Sequence, residues 1–160
     1  MPASVTYRFT QRFNVPARLA YKWSTDYRPD DLVLMKEKGQ RRIQKITKDT
    51  ILLTEEVWNE RKKIKKTKLV RLNPAGLSWF NVHISGPNRH SMFLYRIVPE
   101  GTTRSRLTFT GLLVVHGDSR VSQQRLRHIA SRERHYDANA WKHLARAMAA
   151  DYKRGRKQTA

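Results

Sequence analysis

The chain has 160 residues, 39% of them apolar, with 33 Lys and Arg against 13 Asp and Glu, a formal net charge of +20. That length suits one domain burying roughly 70% of the surface its unfolded form exposes, and the absence of cysteine removes disulfides, thiolate chemistry and most zinc architectures. No stretch approaches the ~20 apolar residues of a membrane span, and Met1-Pro2-Ala3-Ser4 lacks the basic start of a signal peptide, so the chain reads as cytoplasmic.

A charge of +20 lies far above the magnitude of about 2 to 8 that keeps a small domain soluble. Such a field opposes compaction and attracts phosphates, so it points to nucleic acid first and an anionic membrane surface second. A solvated surface without a partner is the bland alternative.

In chain order, Tyr7, Phe9, Phe13 and Val15 recur with period two, which predicts a half-buried strand from Val5 to Val15. Pro16 suits a first helical turn, with Ala17, Ala20 and Trp23 at helical spacing up to Ser24. Pro29-Asp30-Asp31 opens a second short helix over Leu32, Val33 and Met35. Turn signals then divide residues 39–116 into strands at about 40–47, 50–58, 62–72, 77–85, 90–98 and 104–115, an antiparallel meander. After Gly117-Asp118-Ser119, which offers cap residues, Leu126, Ile129, Tyr136, Ala140, Leu144 and Met148 return to one stripe of a long helix through Tyr152. Gly155 is expected to end it, leaving 156–160 as a basic tail behind a single domain of residues 1–155.

This order, together with Arg12-Phe13-Asn14-Val15-Pro16-Ala17-Arg18-Leu19-Ala20-Tyr21-Lys22-Trp23-Ser24-Thr25-Asp26-Tyr27, Gly39-Gln40-Arg41-Arg42 and Pro99-Glu100-Gly101-Thr102-Thr103-Arg104, resembles the START and Bet v 1-like (SRPBCC, polyketide cyclase-like) superfamily. The resemblance spans nearly the whole chain. It implies an α+β helix-grip fold: a curved seven-stranded antiparallel sheet wrapped around a long C-terminal helix, with two short helices after the first strand. It further implies a cavity for an apolar ligand such as a lipid, hormone or polyketide, lined here by Leu107, Phe109, Leu113, Tyr136, Ala140 and Leu144. The plain alternative is that these six fill a core.

Catalytic signatures are absent: no HExxH, no Gly-rich phosphate loop and no GxSxG occur, and the six histidines are scattered. Glu133, His135 and Asp137 stand two apart on a helix and so point to different faces. The run Ser131-Arg132-Glu133-Arg134-His135 reads as a solvated outer face, and Asp26, Asp30 and Asp31 read as helix caps. No enzyme, metal site or cofactor is expected.

Two clusters carry the charge. Arg61, Lys62, Lys63, Lys65, Lys66, Lys68 and Arg71 form seven cations in eleven residues, a basic hairpin arm with Trp58 near its tip, where cations around an aromatic suit phosphate contact and base stacking. Arg120, Arg125, Arg127, Arg132, Arg134, Lys142, Arg146, Lys153 and Arg154, then Arg156 and Lys157, follow the last helix. Cations thus surround the fold, which suits a protein embedded among RNA phosphates, as ribosome-associated proteins are among rRNA, better than a reader with one recognition helix. The expectation is a non-catalytic RNA-binding protein; the alternative is a carrier or sensor of an apolar small molecule or lipid whose basic surface docks on anionic membrane.

Overall fold

The structure is a computed structural model that describes residues 3–117 and 120–159, the side chains of 157–159 excepted. The elements run β1 (Ala3–Phe13), α1 (Ala17–Thr25), α2 (Asp31–Leu34), β2 (Lys38–Thr47), β3 (Thr50–Asn59), β4 (Lys62–Asn73), β5 (Ser78–Ser85), β6 (Met92–Glu100), β7 (Arg104–Val115) and α3 (Gln123–Thr159). All seven strands form one antiparallel sheet in the order β1-β7-β6-β5-β4-β3-β2. Only the β1 to β2 step leaves the meander, and α1 and α2 make that crossing.

Period-two patterning decides which face of the sheet meets α3. In β7, Ser105, Leu107, Phe109, Gly111 and Leu113 turn inward, while Arg104, Arg106 and Leu112 are exposed. Phe109 stacks on Phe9 at 4.5 Å, joining β7 to β1. Trp141 of α3 fits among Phe13, Trp79 and Tyr95, with ring centroids 5.8–6.2 Å away. Burial of this aromatic set between sheet and helix holds the two layers together, each large ring contributing about 1.5–3 kcal/mol.

Two hydrogen bonds tie the crossing segment after β1 to this frame. The Trp23 indole N–H of α1 donates to Asp151 Oδ2 of α3 at 2.8 Å, and the Ser105 hydroxyl donates to the Val15 carbonyl at 2.8 Å. Asp30 makes no side-chain cap bond at α2; Asp31 instead accepts from the Arg28 N–H at 2.9 Å and from Arg41.

The last helix differs from expectation at both ends. Ser122 is its cap, its Oγ accepting from the Arg125 N–H at 3.2 Å, whereas Asp118 and Ser119 lie outside the described residues. Gly155 does not end it: α3 spans 37 residues to Thr159, about 55 Å. Among the described residues no helix is long and apolar enough to cross a membrane.

Candidate ligand cavity and basic surface

Between α3 and the inward faces of β2 to β6 lies a cavity of about 150 Å³. Its apolar part is built by Leu53, Trp79, Phe93, Ala140, Trp141 and Leu144. Its polar part comes from strand positions that the same alternation sends inward. In β3 the buried sequence Ile51, Leu53, Glu55, Val57 places a carboxylate where an aliphatic side chain would be expected.

Glu55 is 1% exposed, and cross-strand register gives it its partners: Arg41 of β2 and Lys66 of β4 stand directly opposite it. Arg41 donates to Oε1 through Nε and Nη2 at 3.2 and 3.0 Å, Lys68 Nζ lies 3.2 Å away, and Lys66 Nζ lies 3.6 Å away. Burial pushes the Glu55 carboxyl up, but Lys68, Arg41 and Lys66 outweigh it and hold it down at about 2. Arg41 also reaches Asp31 at 2.9 Å, which anchors α2 over the cavity.

Next to this cluster, Asn81 and His83 of β5 turn inward with two atoms, Asn81 Oδ1 and His83 Nδ1, that have no protein hydrogen-bond partner. Burial, then the nearby Lys68 and Lys66 ammonium groups, depresses the His83 imidazole to about 3 and keeps it neutral. The Asn81 amide donates to the Tyr95 hydroxyl at 3.1 Å.

Across the cavity, α3 supplies Glu133 and Asp137, one helical turn apart and on the same face. The Tyr7 hydroxyl of β1 donates to Asp137 Oδ2. Burial pushes the Asp137 carboxyl up to about 6, with Glu133 adding to the rise; the Tyr7 bond and the fields of Lys68 and Lys66 pull against it. Tyr7 is itself pushed well above the usual phenol range by burial and by the Asp137 charge. The arrangement brings a carboxyl pushed up to about 6, an ammonium pair and two atoms without a protein hydrogen-bond partner around one small space.

Of the cavity residues expected from sequence, Tyr136, Ala140 and Leu144 line the space, with Tyr136 51% exposed at its mouth. Leu107, Phe109 and Leu113 do not; they are fully buried in the packed core on the β7 side. Glu133, expected on the solvated outer face, lines the cavity together with Asp137. Asp137 lies one helical turn further along the same face. It shares the buried stripe of Trp141, Leu144 and Met148, whereas His135 is exposed.

Among the basic residues, Trp58 is 54% exposed near the β3–β4 turn, with Arg61, Lys62, Lys63 and Lys65 exposed around it. Lys63 Nζ pairs with Glu56 at 2.7 Å. Lys66 and Lys68 turn inward onto Glu55 and are not part of an outer arm; a buried carboxylate, not solvent, receives them. Arg71 is exposed on the opposite, convex face of the sheet. Arg120, Arg125, Arg127, Arg132, Arg134, Lys142, Arg146, Lys153, Arg154 and Arg156 are all exposed on or just before α3. Arg132 contacts Glu133, Arg154 contacts Asp151, and Arg156 lies over the Tyr152 ring. The Lys157 side chain lies outside the described residues.

By sequence, no protein-family model and no curated protein matches the chain. By structure it matches the Zhui aromatase/cyclase from Streptomyces sp. R1128 (TM-score 0.73, 12% identity, 95% of each chain covered). It also matches Ara h 8.0201 (TM-score 0.63, 11% identity, 89% of this chain and 99% of that one). A third match is norcoclaurine synthase from Thalictrum flavum in complex with dopamine and hydroxybenzaldehyde (TM-score 0.68, 9% identity, 91% of this chain and 87% of that one). The chain has the Bet v 1-like helix-grip fold, as the resemblance in its sequence implied. At 9–12% identity the likeness establishes the fold alone.

These neighbours also correct the expectation that the chain is no enzyme. An aromatase/cyclase and a synthase are built on this fold. Tyr7 of β1 with Asp137 of α3 forms a polar pair inside the fold that no motif in the sequence announces.

Proposed function

We propose that the chain binds a single-ring phenol or aromatic carbonyl compound inside the helix-grip cavity and exchanges a proton with it through Asp137. The observation that carries this reading is the Asp137 carboxyl, held at about 6 on the cavity wall by burial and bonded to Tyr7. Lys68 keeps a donor for a ligand oxygen beyond its bond to Glu55, because an ammonium has three protons. Asn81 Oδ1 and His83 Nδ1 offer further polar contacts, and Trp79 with Trp141 offers ring faces. A space of about 150 Å³ is the size that takes one benzene-like ring, well below that of drug-sized pockets, so a compact ligand is favoured over a lipid.

Calorimetric titration with 4-hydroxybenzaldehyde, read alongside its ultraviolet spectrum, tests this. Binding that weakens in Lys68→Met, with a phenol ionisation that changes in Asp137→Asn, is expected. No binding at millimolar concentration, or binding unchanged in both variants, overturns the reading.

A second reading concerns the outside of the same molecule. We infer that the outward cations, in a chain of net charge +20, bind RNA, the setting that suits a ribosome-associated protein. The exposed arginines of α3 favour it, since guanidinium groups meet phosphate oxygens bidentately. If six to ten phosphates are contacted, affinity falls by about 10³ to 10⁵ between 50 and 200 mM salt. Undetectable RNA binding at the lower salt would sink it.

A further inference from the structure

The convex face of the sheet, opposite α3, carries a groove of about 570 Å³ that neither the cavity nor the α3 cations account for. Register places one straight row across five strands: Arg71 of β4 opposite Phe80 of β5, Phe80 opposite Leu94 of β6, Leu94 opposite Thr110 of β7, and Thr110 opposite Arg8 of β1. Arg96 stands opposite Thr108 in the next row. With strands about 4.8 Å apart, four steps separate the terminal arginines by about 19 Å. The middle of the row is apolar, and Leu94 is 44% exposed.

The groove itself is lined by arginines and by no carboxylate among the described residues. Among the described residues Arg8, Arg71 and Arg96 form no ion pair, whereas Arg12 and Arg106 at the corner share Glu100. Arg71 is steadied by donating to the Thr50 hydroxyl at 2.6 Å, which leaves the rest of its guanidinium free to meet an anion. Cations at both ends of an aromatic and aliphatic floor, with threonine hydroxyls between, complement a strand of phosphates whose bases are unpaired and can lie on the sheet. A duplex hides those base faces and fits a shallow sheet poorly.

We propose that this groove binds single-stranded RNA, with phosphates on Arg8, Arg71 and Arg96 and a base against the Phe80 ring. The proposal rests on the RNA reading above and gives it a site distinct from α3. The test is fluorescence anisotropy of a labelled oligouridylate with the full chain across a salt series. Substituting Arg8, Arg71 and Arg96 together by Gln should lower the slope of log affinity against log salt by about 2, at about 0.7 per phosphate contact. Phe80→Leu, which keeps an apolar side chain in place, should weaken binding at least about 5-fold with the slope unchanged. Arg132→Gln with Arg146→Gln on α3 serves as the comparison, and circular dichroism of each variant confirms folding. If the wild type binds no RNA, the RNA reading itself fails. If it binds and only the α3 pair weakens it, RNA reading stands and the groove proposal is overturned. Equal affinity for duplex RNA, or preference for anionic vesicles over RNA, also overturns it.

Discussion

Tyr7, on the first strand, donates its hydroxyl proton to Asp137, on the last helix, across 130 positions of chain. Gly111 of β7 makes this possible by leaving room for the Tyr7 ring. A Cβ there would sit 2.5 Å from Tyr7 Cε1, a distance no relaxed side chain tolerates. Gly111→Ala should therefore push the ring off β7 and loosen its bond to Asp137. The expected cost is about 2 kcal/mol of stability, typical of overpacking, measured as a lower urea midpoint than wild type. An unchanged midpoint would show that the ring moves freely.

Asp137 titrates in a direction that opposes the fold. Its folded carboxyl keeps the proton to about 6, while in the unfolded chain it ionises near 3.8. Folded protein thus holds more protons in that window, and this group's contribution to stability falls as pH rises through it. Asp137→Asn should match wild type in stability near pH 4 and exceed it by about 2 kcal/mol at pH 7.5, a difference urea unfolding at the two pH values reads directly. Ligand binding should lose any inflection near pH 6 in the same variant.

The helix-grip layout was legible in the sequence because turn residues separate strands whose alternation is clean, as in Leu107, Phe109 and Leu113 of β7. The polar cavity was less so. Glu55 stands in the inward register of Ile51, Leu53 and Val57, but alternation alone does not reveal that Arg41 and Lys66 face it from the neighbouring strands; register does. Without that partner, inward lysines on β4 look like one charged face of a projecting arm. Asp137 is hard to read in sequence because its face-sharing neighbours, Trp141 and Glu133, lie four positions away, whereas His135, two away, points elsewhere. Gly155 misled for a different reason. It sits in the helix without the left-handed φ that ends one, at a cost of about 1 kcal/mol relative to alanine, and a 37-residue helix absorbs that.

His83 makes the molecule sensitive to acid. Burial and the adjacent lysines hold its folded imidazole at about 3, against 6.5 when unfolded. As pH falls below 6.5 the unfolded chain gains a proton that the folded state refuses, so stability drops until about pH 3. At pH 4.5 the loss from this group is about 3 kcal/mol. Asp137 and Asp26, both raised to about 6 mainly by burial, work the other way. His83→Gln should flatten the loss between pH 6.5 and 4.5 in urea unfolding, and an unchanged slope would exclude His83 as its source.

Among the described residues Glu55 is the one carboxylate that Arg41, Lys66 and Lys68 all approach, so its removal leaves the two inward-turned lysines without a carboxylate and Arg41 with Asp31 alone. Glu55→Gln should cost about 3–5 kcal/mol, the usual penalty for breaking a buried ion pair from one side. Replacing the set together, with Glu55→Met, Lys66→Leu and Lys68→Met, should cost less than Glu55→Gln alone, because no uncompensated charge is left on β3 or β4. The wild-type carboxyl is depressed to about 2 from 4.5, so its stabilisation is complete above about 4.5 and is lost as pH falls toward 2. Urea unfolding of the three proteins at pH 7 and pH 3 separates these effects. The gap between wild type and Glu55→Gln should narrow at the lower pH. A gap that stays constant would mean that Glu55 acts through its shape and hydrogen bonds, with its charge contributing nothing.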